Sequence, residues 1–402
     1  MDDGNVTPFP LRPHRLREME PGDLAPRLWL YGTVLIRRHV TVLVAPGGTG
    51  KSQLALGFAL DLACGRQLLD YHTFERTPVW YLSLEDDEDE VERRVAAFRL
   101  VHGIEWDELR DHIYVHNGRE RPVCIARTGE DGSAIQFPDL TEIIAAIRSC
   151  GIGVMVVDPF VRAHQLNEND NGEMDAAMAA WSVVAEETNC AILLVHHTRK
   201  MPATGIEASR GASAVTNAAR VGLLLSPMGD AEAGEVGIRP DDRHRFIRLD
   251  NAKTNMAPAG AAVWFEMVEV ALGNGNAIYP QGDSVSALRR WTKPRPMAMT
   301  GPQLCQVFDD LRAGPGDGEQ YTLSKTGPSN PRWAGRVLMR VCPDMTEASV
   351  RSMLKSWVAN GVLVPVQYHS PTQSKPRQGL NLNEGKVAGI LNSCTGPPLD
   401  EC

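Results

Sequence analysis

The stretch from His39 to Leu60 restricts the possible folds of this chain more than any other. Val40 to Val44 is a β-branched and aliphatic run, the composition of a strand buried on both faces. Ala45-Pro46-Gly47-Gly48-Thr49-Gly50-Lys51-Ser52 follows, and then Leu54, Leu56, Phe58, Ala59 and Leu62 recur at helical spacing. Strand, Gly-rich turn and helix in that order are the context of a P-loop. Backbone N–H groups from Gly47 to Lys51 can converge on phosphate, because glycine tolerates the φ/ψ this needs and lets the main chain come close. The helix N-terminus adds partial positive charge. Lys51 is expected to hold the β- and γ-phosphates of a nucleoside triphosphate and the Ser52 hydroxyl to ligate Mg²⁺, with contacts running from Ala45 through Gln53. Ala45 stands where the usual pattern opens with Gly, so its φ is expected to be negative. An accidental Lys-Ser after a Gly-rich turn accounts for these flanks less well than a triphosphate site does.

A length of 402 residues suggests two or three domains with room for a real core. The eight cysteines are scattered without a Cys-x-x-Cys pair, which indicates neither a disulfide framework nor a zinc site. Met1 to Glu20 lacks an apolar core of the secretory type, and no apolar run reaches the roughly 18 residues of a membrane span, so a cytoplasmic protein is expected. The net charge of −9 argues against a protein that coats nucleic acid non-specifically. Its distribution is uneven: residues 1–288 carry −14 and residues 289–402 carry +5. Different partners for the two parts would follow, although a modest positive balance is often a solvated face.

Residues 1–25 are Pro-rich and charged and read as irregular, and residues 26–271 as the nucleotide domain. Leu28 to Gly32 leads into the P-loop strand; its aromatics either stack beside the nucleotide or, more commonly, belong to the core. Val79 to Leu84 reads as a strand ending in the acidic run Glu85 to Glu90, and a helix marked by Val91, Val95 and Phe98 follows. Acids in a first helical turn need no function. Glu85 differs, because open α/β sheets bind ligands at the carboxyl ends of their strands, where a carboxylate can deprotonate an attacking water. A surface acid is the equal alternative. Gly153 to Asp158 reads as a Walker B strand, with Asp158 in the Mg²⁺ shell, about 110 residues beyond the P-loop. Ala191 to Val195 is a further buried strand ending in His196-His197. Adjacent histidines face opposite sides of a strand, so the two cannot share a metal, but one can reach a γ-phosphate. A satisfied histidine at a sheet edge is the plainer reading of that pair taken alone.

Thr198 to Ser209 reads as a loop, Arg210 to Ala219 as a partly helical segment ending at Arg220, and Val221 to Leu225 as a strand. Arg245 to Leu249 and Ala261 to Val270 read as antiparallel strands flanking Lys253-Thr254-Asn255. Residues 272–300 have the Gly, Pro and Ser density of a linker. Residues 301–392 then read as three helices and a two-stranded wing, a winged-helix-like α+β module, with 393–402 as a tail. Arg351 and Lys355 on the third helix, with Lys375 and Arg377 in the wing, are its candidate phosphate contacts, although such modules also bind protein.

Six segments together resemble the RecA-fold ATPases of the RepA type, the hexameric replicative helicases of plasmids and phages. They are Ala-Pro-Gly-Gly-Thr-Gly-Lys-Ser (45–52), Tyr-Leu-Ser-Leu-Glu-Asp (81–86), Val-Val-Asp-Pro (156–159), Leu-Val-His-His (194–197), Ala-Ser-Arg-Gly-Ala-Ser (208–213) and Asn-Ala-Lys-Thr-Asn (251–255). The resemblance spans roughly residues 25–270 and implies an α/β, RecA-like P-loop core with a mostly parallel central sheet. It implies Glu85 as catalytic base, His197 (or His196) as γ-phosphate sensor, and Arg220 as an arginine finger for the neighbouring subunit. Lys253 would be a second cation at that interface, and Arg199, Lys200 and Arg210 would face single-stranded DNA in a central channel. The implied protein is an ATP- and Mg²⁺-dependent, DNA-associated homo-oligomer, a hexamer with no membrane partner. The loop's few cations and the extra C-terminal module depart from the minimal helicase. A DNA-binding ATPase of recombination or replication control that does not unwind is therefore the main alternative, followed by a nucleotide-dependent assembly protein. A metal hydrolase built on His196-His197 lacks further ligands at suitable spacing.

Overall fold

The computed structural model describes residues 13, 15–129, 134–197, 213–254, 256, 261–293, 299–324 and 330–394. An antiparallel pair, β1 (Trp29–Tyr31) and β2 (Leu35–Ile36), precedes β3 (Val40–Ala45) and α1 (Lys51–Cys64). Next come β4 (Val79–Ser83), α2 (Glu88–His102), α3 (Trp106–Leu109) and β5 (Ile113–Asn117). Short strands β6 (Ala126–Thr128) and β7 (Ile135–Gln136) lead to α4 (Leu140–Cys150) and β8 (Val154–Asp158). Then β9 (His164–Gln165), α5 (Asn171–Thr188), β10 (Ala191–His197), α6 (Ser213–Ala218), β11 (Val221–Pro227) and α7 (Asp230–Val236) follow. Three long strands close this part: β12 (Phe246–Thr254), β13 (Val263–Ala271) and β14 (Ser284–Trp291).

Nine strands form one sheet in the order β14-β13-β12-β11-β3-β10-β8-β4-β5. The six from β11 to β5 are parallel and the three at the other side antiparallel. This is the α/β, mostly parallel arrangement expected of a RecA-like core. Parallel neighbours demand crossovers, and the helices that supply them cover both faces. Along β3, Leu43 and Ala45 join the core under α1 and α2, while Val40, Val42 and Val44 join the core under α4 and α5. The same alternation runs through β8 and β10, so each strand-end side chain has its face assigned by its place in the count.

One expectation changes. Residues 284–291, inside the stretch read as a linker, are β14, the edge strand of the sheet, with Ala287 and Leu288 fully buried. Gly, Pro and Ser on the preceding turn hide the alternation. Of the two readings of the aromatics before β3, Tyr31 takes the commoner: it is fully buried in the core against Phe58 and Tyr71, and its hydroxyl donates to Asp61. Asp61 also accepts from the Leu68 and Leu69 N–H groups, at 2.6 and 3.2 Å, and burial pushes its carboxyl up to about 6.

Residues beyond the sheet form α8 (Gly301–Ala313), α9 (Gly335–Val341), α10 (Glu347–Ala359), the antiparallel pair β15 (Leu363–His369) and β16 (Pro376–Leu382), and α11 (Glu384–Cys394). They share a separate core around Phe308, Trp333, Leu338, Leu354 and Trp357. The helix α11 was not expected: the sequence reads as three helices and a wing in a module ending at residue 392. Glu319 fastens the wing: it accepts from the hydroxyls of Ser370, Thr372 and Tyr368, which with Arg332 hold its carboxyl down at about 2.

Removing the Tyr31 hydroxyl leaves a buried carboxylate short of a donor. Tyr31→Phe is expected to lower unfolding free energy by about 1–3 kcal/mol in urea titration. An unchanged midpoint would mean that water replaces the hydroxyl freely.

Candidate nucleotide site

Strand β3 ends at Ala45, and the chain turns through Pro46 to Gly50 before α1 begins at Lys51. Ala45 still belongs to the strand, as a residue with a Cβ in the first position of the loop must. Gly48 and Gly50 have φ of +71° and +89°, conformations that L side chains rarely adopt. A Cβ on Gly50 would in addition meet the Met267 Sδ at 3.2 Å, whereas Gly47 and Gly48 face open space. The Thr49 hydroxyl closes the turn on the Pro46 carbonyl at 2.9 Å. The loop is thus a concave run of main chain at the head of a 14-residue helix, the geometry that favours phosphate.

Lys51 is 4 % exposed, and its Nζ donates to the carbonyls of Ala45 and Pro46 at 3.1 and 2.5 Å. Burial lowers its pKa to about 8, against the pull of the Asp158 and Glu85 carboxylates. Asp158 ends β8 on the α1 face, because Val154 and Val156 pack there. It is 7 % exposed; burial raises its pKa, opposed by hydrogen bonds from the Tyr81 and Ser52 hydroxyls. The Tyr81 hydroxyl donates to Asp158 Oδ2 at 2.5 Å. Sequence reasoning missed Tyr81, although its position two residues before Ser83, the register partner of Asp158, aims it at that carboxylate.

The two histidines part company. Leu193 and Val195 face α1, so His197 follows them, while His196 follows Ile192 and Leu194 to the other face. His196 is buried 6.0 Å from the Phe160 ring, with its Nδ1 unpartnered. Burial, then the charges of His197, His164 and Lys51, push its pKa down to about 4. His197 is exposed; burial and Lys51 lower its pKa while Glu85, Asp158 and Glu168 raise it. Of the two, His197 is the one surrounded by the charges of the phosphate end. Glu85 lies two residues past β4, half-exposed, paired through Oε1 with Arg162 Nε at 3.2 Å, a partner that sequence reasoning did not supply.

Arg220 and Lys253 do not join this group. Arg220 precedes β11, its N–H bonded to the Val40 carbonyl at 3.1 Å, so it stands at the amino edge of the parallel strands. By strand rise that is about 17 Å from the loop at Ala45. Lys253 lies beside it, its pKa lowered by burial and by Arg220, with Nζ donating to the Thr216, Asn217 and Ala219 carbonyls. Arg199, Lys200 and Arg210 lie outside the described residues. In the C-terminal module Lys355 and Lys375 are exposed, but Arg351 is tied to Glu347 at 2.8 Å and Arg377 lies 3.6 Å from Glu319.

The donor set fits a magnesium–triphosphate: main-chain N–H groups and Lys51 for phosphate oxygens, and Ser52 with Asp158 for a hard cation that keeps much of its water shell. Among the described residues no group of three or more His, Cys, Asp and Glu side chains could hold a metal, and no helix is long and apolar enough to cross a membrane.

Residues 7–203 match the family model of the AAA domain, just under half of the chain. Among solved structures, the chain is similar to the RadB recombinase, with 13 % identity over 58 % of this chain and 88 % of that one at a TM-score of 0.37. It is also similar to a KaiC-like protein from the hyperthermophilic archaeon Pyrococcus horikoshii OT3, with 15 % identity over 65 % of this chain and 98 % of that one at a TM-score of 0.40. The AAA-domain match takes in the P-loop, Glu85, Asp158 and both histidines.

The depressed pKa of His196 makes stability acid-sensitive. The unfolded residue takes a proton near pH 6.5 and the folded one only near 4, so its contribution is intact above 6.5 and lost as pH falls toward 4. The loss is on the order of 3 kcal/mol. In chemical denaturation between those pH values, His196→Leu should remove up to one proton from the slope of unfolding free energy against pH; an unchanged slope would contradict the burial of a neutral imidazole.

Proposed function

We propose that this chain is a RecA-like, Mg²⁺-dependent ATPase that works on single-stranded DNA as a ring, each site completed by the next subunit. The observation that carries this reading is the division of charge between the two edges of the sheet. Lys51, Asp158, Glu85 and His197 interact at the carboxyl edge, while the cations Arg220 and Lys253 stand together at the amino edge, beyond reach of the same site. Such a division suits a hydrolytic site whose last cations come from a neighbour.

In this mechanism the loop N–H groups and Lys51 hold the phosphate chain, and Lys51 exchanges its loop carbonyls for phosphate oxygens. Ser52 and Asp158, the latter oriented by Tyr81, would hold magnesium, which would supply charge neutralisation on the phosphate chain. Glu85 accepts the proton of the attacking water and His197 contacts the γ-phosphate. A cavity of about 370 Å³, reached from the first turn of α1 at Gln53 and lined also by Glu90, Arg93, Arg94, Asp283 and Ser286, would take the nucleoside. Arg220 from the adjacent subunit stabilises charge on the transferring phosphoryl group, a contribution of about 10³–10⁵ in rate.

The elements of the C-terminal module follow one another as in a winged helix. Its third helix α10 is turned toward the ATPase part, with the Ser349 hydroxyl donating to the Glu235 carbonyl of α7 at 3.2 Å. In helix-turn-helix proteins the N-terminal turn of that helix reads base edges. Occupation of this turn by α7 favours the single-strand motor over a protein that reads a duplex site.

Two inactive variants test completion in trans. Lys51→Ala keeps Arg220 but loses the phosphate lysine; Arg220→Ala does the reverse. Each alone should hydrolyse ATP at least about 10³-fold more slowly than wild type, and mixing them should restore turnover, because some interfaces then pair an intact loop with an intact arginine. Mixtures no more active than their components would sink the shared site.

A further inference from the structure

Glu85 and Arg162 sit on main chain that is locked together. The Leu84 N–H donates to the Asp158 carbonyl at 2.8 Å, which ties the segment bearing Glu85 to the end of β8. Arg162 rides on a single 3-10 turn, Phe160–Ala163, whose Phe160 and Ala163 are both fully buried. The backbones are fixed, yet the two side chains meet in the open, with 46 % of Glu85 and 64 % of Arg162 exposed. Glu85 also interacts with the Lys51 ammonium at the phosphate end, whose pKa its charge raises. One carboxylate therefore has two competing attractions, one outward to Arg162 and one inward to the phosphate end.

We infer that Arg162 is a positioning residue that holds Glu85 outward, and that a phosphodiester backbone arriving at this edge of the sheet frees Glu85 by taking over the guanidinium. The inference rests on the reading of Glu85 as the base that accepts a proton from water. While Arg162 Nε occupies Glu85 Oε1, that oxygen already accepts a hydrogen bond, so the pair must open before the same oxygen can accept from an attacking water. A guanidinium binds phosphate oxygens in the same forked geometry as a carboxylate, which makes a nucleic-acid backbone a direct competitor. Arg162 follows β8, whose neighbour β10 ends in His197, so the competitor would approach beside the phosphate sensor. An exposed pair of this kind shifts an equilibrium by roughly two- to fivefold, enough to tune turnover without abolishing it.

The coupling is reciprocal: whatever frees Arg162 from Glu85 must strengthen its hold on phosphate by the same factor. The test is a double-mutant cycle on the full chain with Arg162→Ala, Arg162→Lys, Glu85→Gln and Glu85→Gln/Arg162→Ala, read by steady-state ATPase and by nucleotide-free binding of oligo-dT. Arg162→Ala should raise kcat without DNA two- to fivefold at unchanged KM and thermal midpoint, and lose the same factor of DNA stimulation, while Arg162→Lys behaves as wild type. Glu85→Gln should be inactive yet bind oligo-dT two- to fivefold more tightly, a gain that disappears in the Arg162→Ala background. If Glu85→Gln is inactive but Arg162→Ala has wild-type or lower kcat, or if the binding gain survives loss of Arg162, the restraint is overturned and the base stands. If Glu85→Gln retains full turnover, the base assignment and the restraint fall together.

Discussion

A lysine ammonium buried with no carboxylate in contact among the described residues is the constraint on which this molecule turns. Lys51 is nearly inaccessible, and its partners are two carbonyls of its own loop. Carbonyl dipoles compensate a desolvated charge only partly, and the fall of its pKa to about 8 is the expression of that shortfall. On the proposed reading, a polyphosphate would remove it. The loop glycines, the helix behind them and the sheet that positions both keep this cation desolvated at the head of α1. Asp158 is the counterpart: equally buried, and kept in place by Tyr81 and Ser52.

Period-two alternation carries that constraint from sequence to site. Each parallel strand is buried on both faces, so its hydrophobic run looks featureless in sequence, but the last residues inherit a face from the residues before them. Asp158, His197 and Tyr81 fall on the α1 side for that reason, and His196 on the other. The sequence therefore contained the separation of the two histidines, while their inequality needed the structure. Burial against Phe160 and the approach of His164 come from a turn far away in the chain.

The legible parts were those with local signals. The P-loop, the Walker B strand and the helices with a clear apolar stripe follow from composition and spacing. The strand β14 was unreadable because its alternation is shallow and is preceded by Gly- and Pro-rich turns; pairing with β13, not propensity, makes it a strand. The Arg162–Glu85 and Tyr81–Asp158 contacts join residues 77 apart, so no local pattern could reveal them. In the C-terminal module the positions of Arg351, Lys355, Lys375 and Arg377 were legible as surface, but the commitment of Arg351 to Glu347 and the approach of Arg377 to Glu319 depend on how the wing closes.

The central claim is that Lys51, Glu85, Asp158 and His197 converge on one triphosphate at the carboxyl edge of the sheet. A structure of the full chain with Mg²⁺ and a non-hydrolysable ATP analogue measures this directly. The account predicts Lys51 Nζ moved from the Ala45 and Pro46 carbonyls onto β- and γ-phosphate oxygens, Ser52 on the metal, Asp158 in its water shell, and Glu85 swung from Arg162 toward the γ-phosphate. Triphosphate density elsewhere, or Lys51 still bound to its own loop beneath the analogue, would contradict it.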